Sequence, residues 1–246
     1  MIFKILTLFP DMFDNFKNIS IIGRAVREEK VQIDTINIRD YANNKHNRID
    51  DYPYGGGAGM VMQAMPLKSA LEASGWSEGK RVIYMSPKGK TLTQAHCDVL
   101  KQDDEIFIVC GHYEGIDQRF IDKYVTEELS IGDYVLTGGE LPAMVLMDSV
   151  ARLLPGVLGK QDSYEDESHM GGLLEYPHYT RPAEFEGSGI PEVLTSGHHA
   201  NIDKWRLDES IRVTLQRRPD MIEKLLNDPD ADPKLIKSIK AIMLEK

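Results

Sequence analysis

The chain has 246 residues, of which 41% are hydrophobic and 28% are charged, and its formal net charge is −10. This length allows one large domain, or a medium domain with a smaller one. The acidic balance argues against non-specific nucleic-acid binding, which depends on neutralising phosphates, but it allows basic residues gathered on one face. No apolar run approaches the roughly 20 residues that cross a bilayer, and the short apolar start at Met1 predicts a strand and not a signal peptide.

The two cysteines, Cys97 and Cys110, lack the paired spacing of a zinc site and are too few for a disulfide framework. Cys110 closes an apolar run and is interpreted as a small buried filler. His96 beside Cys97 does not by itself make a metal site. We therefore expect a reduced, cytoplasmic protein with no membrane partner and no metal-ligand motif.

The first forty residues have a β-α-β pattern. An apolar run over residues 2–8 predicts a strand, and apolar residues recur at helical spacing between 12 and 16. Ser20 is a candidate N-cap for a helix over residues 21–30. Apolar and polar residues then alternate over 31–38, which is typical of a half-buried strand. This order of elements favours a parallel sheet.

Residues 40–59 are polar and then glycine-rich, and they are too long for a simple connection. Lys45, His46 and Arg48 are candidates for contacts with phosphates, while the glycines of residues 55–59 permit close approach to a base or ribose. A flexible surface loop remains the alternative. It is not a phosphate-binding P-loop, because no Gly-Lys-Ser/Thr follows the glycines.

Three strands are predicted to end at Met85, Cys110 and Ile131, and each leads into a loop with Gly or Pro. The intervening elements are helices over 66–74, 91–101 and up to about 124, with a Pro-Gly turn at 86–89. In an open α/β sheet, ligands lie beyond the carboxyl ends of the strands. Three adjacent loops would form a cup of backbone donors and acceptors that suits a ligand such as adenosine. Ordinary strand-to-helix turns are the alternative interpretation.

The third of these loops is the most informative stretch, Ile-Gly-Asp-Tyr-Val-Leu-Thr-Gly-Gly-Glu-Leu-Pro at residues 131–142. Gly138 and Gly139 let the backbone turn tightly or approach a ligand. Pro142 suits the first turn of the helix predicted over residues 143–153.

The last third of the chain has a different composition. Residues 156–172 form an acidic stretch with glycines at either end, and helix-forming segments follow over 201–217, 219–227 and 233–245. This change predicts a domain boundary near residue 165.

Several long motifs occur in the order of a known family. They are YGGGAGM at residues 54–60, GHYEG at 111–115, IGDYVLTGGELPA from 131, RLLPGVLG at 152–159, YPHYTRP at 176–182 and SGHHANIDKWR at 196–206. Together they resemble the bacterial tRNA (guanine-N1)-methyltransferase family of the SPOUT class, over nearly the whole chain. The expected fold is therefore an α/β domain with a parallel sheet and a C-terminal trefoil knot around residues 111–153, followed by a small helical C-terminal domain.

The resemblance implies a division into a SPOUT cofactor-binding domain at 1–160, an acidic flexible linker at 161–175 and a helical tRNA-binding domain at 176–246. It also implies an obligate homodimer with a site built from both subunits. The implied reaction transfers a methyl group from S-adenosylmethionine to N1 of the guanosine immediately 3′ of the anticodon in tRNA, with Mg²⁺ as an assisting ion. The alternatives are a SPOUT methyltransferase acting on another RNA, and a non-catalytic RNA-binding regulator.

The resemblance also assigns cofactor-binding residues to the three loops, with backbone groups expected to make most of the contacts. They are Tyr84, Ser86 and Pro87; Gly111, Tyr113, Glu114 and Gly115; and Ile131, Gly132, Asp133, Tyr134, Val135, Leu136, Gly138, Gly139 and Pro142.

The expected reaction needs a group that removes the hydrogen from guanine N1 and a donor that stabilises charge on the guanine oxygen. Arg152 matches the family's catalytic arginine. The family's catalytic aspartate lies in the acidic linker, and counting from Arg152 places Glu167 at that position, with Asp166 beside it. Either carboxylate could accept the proton; without the resemblance, the acidic run would be interpreted as a solvated linker.

Further RNA contacts are predicted for exposed basic residues of the C-terminal part. The candidates are Arg181, His198, His199, Arg206, Arg212, Arg217 and Arg218, although Asp203, Asp208 and Glu209 nearly balance the charge of the helix that carries most of them. Trp205 on that helix is predicted to be a core residue.

Overall fold

The computed structural model describes residues 1–42, 44–159 and 167–245. Its strands are β1 Ile2–Thr7, β2 Gln32–Asn37, β3 Asp50–Asp51, β4 Val61–Met62, β5 Arg81–Thr91, β6 Glu105–Cys110, β7 Glu127–Ser130, β8 Glu184–Phe185 and β9 Ser188–Gly189. The α-helices are α1 Asp14–Asn18, α2 Ser20–Arg27, α3 Ala64–Ala73, α4 Gln94–Leu100, α5 Gln118–Tyr124, α6 Glu140–Ala151, α7 His199–Arg217, α8 Pro219–Asn227 and α9 Pro233–Met243. Short 3-10 helices cover Pro10–Phe13, Ile38–Tyr41 and Glu192–Thr195.

Five of the strands form one parallel sheet in the order β2-β1-β6-β5-β7. The predicted parallel α/β architecture is therefore confirmed. Because all five strands run in the same direction, the carboxyl ends of β5, β6 and β7 lie at one edge. Those three strands are neighbours in space, so the loops that follow β6 and β7 meet the middle of β5 there.

Strand β6 explains why the sheet needs helices on both faces. Its residues Ile106, Ile108 and Cys110 belong to one buried cluster, and Phe107 and Val109 belong to another. Successive side chains of a strand point to opposite faces, so a continuous apolar run is buried on both sides. The first cluster includes residues of α2, α4 and α6, and the second includes residues of α3 and α5.

Ser20 is not the N-cap that its residue type predicts. Helix α2 includes Ser20 as its first residue, Ile19 precedes it, and no side chain caps the helix. Ser20 has a φ of 57°, in the left-handed region, whereas a capping residue normally has extended backbone. The sequence preference is therefore overridden by the tight junction between α1 and α2.

Strand β5 is longer than the predicted strand that ends at Met85, and the predicted turn at 86–89 is part of it. Leu129 of β7 pairs with Met85 and again with Lys90, beyond an irregularity in the register. A Cβ on Gly89 would lie 2.5 Å from the backbone of Glu128, so glycine allows the two chains to pass this closely. Helix α4 consequently begins at Gln94, with the Thr93 side chain accepting a hydrogen bond from the His96 N–H.

The chain divides into two compact units, Met1–Gln161 and Asp162–Lys246. The second unit has its own small core, in which Ile211, Ile222, Ile239 and Ile242 come together from α7, α8 and α9. In the described ranges, no helix is both long enough and apolar enough to cross a membrane.

Candidate functional site

A cavity of about 250 Å³ lies at the carboxyl ends of β5, β6 and β7. Its walls come from the three segments that the sequence singled out, of which the first, residues 84–88, belongs to β5 and is not a loop. Every predicted cofactor-binding residue except Gly132 and Asp133 lines it, namely Tyr84, Ser86, Pro87, Gly111, Tyr113, Glu114, Gly115, Ile131, Tyr134, Val135, Leu136, Gly138, Gly139 and Pro142. The structure therefore brings together residues that lie as far as 58 positions apart in the chain, Tyr84 and Pro142.

The Tyr84 side chain lines the cavity from the first half of β5 and is only 6% exposed. A Cβ on Gly111 would lie 2.7 Å from its ring, so the glycine lets the end of β6 pack against the tyrosine. Burial, with a smaller contribution from Glu128, raises the pKa of Tyr84 to about 12. The phenol is therefore neutral at physiological pH and can donate a hydrogen bond, but it cannot serve as a base.

Gly138 and Gly139 hold the third loop against the second. The Gly139 N–H donates to the Gly111 carbonyl at 3.0 Å, and a Cβ on Gly139 would lie 2.7 Å from the Cys110 Cα. A Cβ on Gly138 would lie 2.5 Å from Glu140 Oε2. Residue 139 must therefore be a glycine because the third loop packs directly on the backbone at the end of β6. This role differs from the predicted one, in which the glycine allows close approach to a ligand.

Gly132 and Asp133 belong to the third loop but do not line the cavity. Gly132 has a φ of 151°, and a Cβ there would lie 2.5 Å from the Tyr134 ring. Ser130 Oγ donates to the Gly132 carbonyl at 2.9 Å and accepts from its N–H at 3.2 Å. Asp133 is exposed. That either residue contacts the ligand therefore stays a prediction. The geometry of the loop explains why residue 132 is a glycine.

The glycine-rich loop at 55–59 reaches the rim of the cavity. The Glu114 N–H donates to the Met60 carbonyl at 3.0 Å, and the Met62 N–H donates to the Gly115 carbonyl at 3.0 Å. A side chain at Gly59 would collide with that of Glu114. This contact makes the loop a neighbour of the cavity and supports its interpretation as a functional loop over that of a simple surface loop.

Ten further residues line the cavity and were not predicted: Met85, Lys88, His112, Ile116, Gln118, Ile121, Glu128, Leu129, Ser130 and Thr137. Six of them, Met85, Lys88, His112, Ile116, Ser130 and Thr137, are direct sequence neighbours of predicted residues, so widening each motif by one position would have found them. Glu128 and Ile121 give no such signal, because their positions follow from how β7 and α5 pack.

The predicted catalytic residues fall in different parts of the chain. Arg152 follows α6 in the first unit, where its N–H donates to the Asp148 carbonyl at 3.1 Å. The segment after it is fixed to α2, because Arg24 donates to the Val157 carbonyl at 2.6 Å. Glu167 belongs to the second unit, and its carbonyl accepts a hydrogen bond from the Met170 N–H at 3.2 Å. Asp166 lies outside the described residues.

The second unit carries an aromatic cluster at the start of α7. Trp205 is half-buried, and its ring centroid lies 6.3 Å from those of Tyr176 and Tyr179. The Arg206 guanidinium lies 5.2 Å from the Tyr176 ring centroid. Trp205 therefore packs in this half-exposed cluster and is not part of the buried core of the unit, which corrects the core prediction.

Among the described residues, no group of three or more His, Cys, Asp or Glu side chains could hold a metal ion. Both cysteines are buried. Burial raises the pKa of the Cys97 thiol to about 11 and that of the Cys110 thiol well above its usual value. The polar groups that line the cavity include backbone groups, hydroxyls, the carboxylates of Glu114 and Glu128, the Lys88 ammonium and the His112 imidazole.

A parallel sheet with a glycine-walled cavity beyond the carboxyl ends of three adjacent strands defines an α/β protein of the kind that holds a small ligand at that edge. Comparison with known proteins narrows this class. The family model described as tRNA (Guanine-1)-methyltransferase TrmD matches residues 1–224. The chain belongs to this family.

Individual relatives match nearly the full length of both proteins. A tRNA (guanine-N(1)-)-methyltransferase of Ruminiclostridium cellulolyticum is 55% identical over 229 residues, covering 92% of this chain and 98% of the relative. One from Clostridium perfringens strain SM101 is 55% identical over 235 residues, covering 96% and 98%. One from Clostridioides difficile strain 630 is 51% identical over 227 residues, covering 91% and 98%.

Proposed function

We propose that this protein transfers a methyl group from S-adenosylmethionine to N1 of the guanosine immediately 3′ of the anticodon in tRNA. The observation that carries the proposal is the match to the family over residues 1–224, which includes all three loops of the cavity. The methyl acceptor position, a cytoplasmic location and an assisting Mg²⁺ are parts of the same proposal, and membership of the family supports them.

The cavity suits the methyl donor. Its lining combines apolar side chains such as Leu136 and Ile116 with the hydroxyl of Tyr84 and the backbone of four glycines, Gly111, Gly115, Gly138 and Gly139. An adenine ring needs apolar walls, and the ribose and amino-acid parts need hydrogen-bonding groups. When bound, S-adenosylmethionine supplies an electrophilic methyl group on a sulfonium.

The remaining chemistry belongs to side chains of the protein. Guanine N1 carries a hydrogen that must leave as the new N–C bond forms, and the carboxylate of Glu167, or of Asp166, accepts that proton. Arg152 orients the base and stabilises the negative charge that develops on the guanine oxygen. The C–S bond breaks at the same time, and the thioether product leaves without a net charge on sulfur.

A homodimer is also part of the proposal. Phe9, Met12 and Leu141 are each at least 40% exposed and surround a second cavity of about 200 Å³, and Val145 follows one turn later on the same face of α6. A contiguous exposed apolar surface of this kind favours contact with another protein. Replacement of Leu141 by Asp should convert a dimer into monomers in light scattering. Replacement of Val99 by Asp is the control, because Val99 is equally exposed on α4.

The trefoil knot is proposed for the region around residues 111–153. Membership of the family supports it, and the contacts of Leu129 with Met85 and Lys90 and of Gly139 with the segment after β6 are compatible with it. The helical second unit is proposed to bind tRNA, and residues 161–175 are proposed as the linker that brings the carboxylate to the base.

The test is methyl transfer to a wild-type tRNA transcript and to one in which this guanosine is replaced. We expect transfer only to the first. Glu167→Gln and Asp166→Asn, singly and together, identify the proton acceptor, and the double variant should lose at least about a hundredfold in rate. Turnover on ribosomal RNA but not on tRNA would contradict the proposal, as would full activity of the double variant.

A further inference from the structure

Glu140 is a buried acidic residue that the reaction described above does not use. It is the first residue of α6 and is only 3% exposed. The Thr7 hydroxyl at the end of β1 donates a hydrogen bond to its Oε1 at 2.8 Å, and the same hydroxyl accepts from the Phe9 N–H at 2.9 Å. Buried carboxylates are rare, so the position of this one calls for an explanation.

The carboxylate lies behind the wall of the methyl-donor cavity. Gly138 lines that cavity and also the second cavity, to whose wall Glu140 contributes. A Cβ on Gly138 would lie only 2.5 Å from Glu140 Oε2. Because Gly138 has no side chain, a single backbone segment separates this oxygen from the cavity.

No cation neutralises this carboxylate in the part of the chain that the structure describes, since none of its Lys, Arg or His side chains forms an ion pair with Glu140. The supporting groups are the Thr7 hydroxyl and the N-terminal end of the twelve-residue helix α6, where the helix dipole favours a negative charge. His112 lines the second cavity with Glu140, and the Cys110 thiol is also near it.

Two other carboxylates line the methyl-donor cavity directly, those of Glu114 and Glu128. Glu114 is exposed and Glu128 is half-buried, so water and salt screen their charges more than that of Glu140. A buried charge acts over a longer distance because the surrounding dielectric constant is low. Of these three carboxylates, that of Glu140 is therefore the least screened by water and salt.

We propose that the Glu140 carboxylate, acting through the Gly138 wall, makes the cavity prefer the positively charged sulfonium of S-adenosylmethionine over the neutral thioether S-adenosylhomocysteine. This inference rests on the proposed use of S-adenosylmethionine. Its consequence is functional: the product has lost the positive charge, so it lacks this attraction and is bound less tightly than the methyl donor. Glu140 is a specificity-determining residue in this role, not a catalytic one.

Calorimetry with each of the two nucleosides measures the preference directly, without turnover. Glu140→Gln keeps the shape and the acceptor for Thr7 but removes the charge. We expect this variant to lower the affinity for S-adenosylmethionine about tenfold, while the affinity for S-adenosylhomocysteine stays within about twofold of wild type. The matched control is Asp148→Asn, which removes one charge from an exposed position of the same helix and should leave both affinities unchanged.

If Glu140 only held the wall in place, Glu140→Gln would lower the affinities for both nucleosides equally. That result would overturn the inference, and so would two unchanged affinities. Glu140→Asp and Thr7→Val both keep the charge, so each must keep the ratio of the two affinities within about twofold of wild type. They test the inference even where Glu140→Gln does not fold. If the wild-type protein bound neither nucleoside, the proposed function itself would fail.

Discussion

Replacing Gly139 by Ala tests the idea that the cavity wall depends on close packing between two loops. The added Cβ would lie 2.7 Å from the Cys110 Cα and 3.0 Å from the Gly111 nitrogen, where ordinary contact begins at 3.4 Å. Both neighbours are backbone atoms of a buried strand end, so no flexible side chain can move aside. The wall must shift by several tenths of an ångström, and the hydrogen bond from the Gly139 N–H to the Gly111 carbonyl is stretched.

Overpacking of this kind typically costs about 1–3 kcal/mol. For a chain of this size, each kcal/mol lowers the melting temperature by about 2–4 °C. We therefore expect Gly139→Ala to melt about 5 °C below wild type in calorimetry. We also expect its affinity for S-adenosylmethionine to fall at least about tenfold, because the displaced loop lines the cavity.

The matched control is Gly159→Ala. Apart from its chain neighbours, no heavy atom of the described residues would lie within 4 Å of the added Cβ, so the same chemical change should leave both the melting temperature and the affinity unaltered. Ile131→Ala gives a second comparison, since it shortens a cavity side chain without disturbing the backbone, and it should weaken binding less. Wild-type melting and binding by Gly139→Ala would refute the packing argument.

Three further predictions concern titratable groups. Because the pKa of Tyr84 is about 12 in the folded chain and near 10 when unfolded, its contribution to stability, on the order of 2–3 kcal/mol, is present below pH 10 and lost as the pH rises toward 12. Tyr84→Phe should therefore flatten the alkaline fall in unfolding free energy measured with denaturant; an unchanged slope would contradict this. The thiols of Cys97 and Cys110 should resist iodoacetamide at pH 8 in the native protein, as mass spectrometry would show, because burial keeps them protonated; rapid labelling would count against it. Asp117 accepts from the Arg119 N–H at 2.9 Å and caps α5, so Asp117→Ala should lower the unfolding free energy by about 1 kcal/mol near neutral pH, and the loss should shrink in acid, where protonation removes the wild-type ion pair.

The sequence predicted those parts of the fold that depend on local apolar patterns. The runs that became β1 and β6 are strongly apolar, so their position follows from burial alone. The sheet order could not be predicted, because strand neighbours are chosen by packing over long distances. The extension of β5 past Met85 could not be predicted for the same reason. Pro87 and Gly89 are typical turn residues, and they belong to a strand here because β7 passes beside Gly89.

The candidate site was more predictable than the sheet, because its residues are concentrated in three short motifs that the family resemblance identified. What the motifs could not give is the reason for each glycine. Gly111 makes room for the Tyr84 ring, and Gly139 makes room for the backbone of Cys110. Such reasons depend on which segments pack together, and this information is absent from a local pattern.

The acidic net charge poses a question for a protein that is proposed to bind tRNA, and the ion pairs of α7 bear on it. Arg212 pairs with Glu209 at 2.9 Å and with Glu245 at 2.8 Å. Both partners raise its pKa, so the guanidinium is already well neutralised. A phosphate could recruit Arg212 only by displacing these carboxylates. Arg217, one and a half turns later, is exposed and has no ion pair among the residues that the structure describes.

Arg217 should therefore contribute more to tRNA binding than Arg212. We expect Arg217→Ala to lower the affinity for tRNA several-fold. It should also reduce the slope of log affinity against log salt concentration by roughly 0.7–0.9, the change that one lost phosphate contact produces. Arg212→Ala should weaken binding less than about twofold and leave the slope unchanged, because it removes a cation whose charge is already offset. Filter binding at four salt concentrations measures both quantities. The reverse ranking would show that carboxylate pairing on α7 does not decide which cations reach the phosphates.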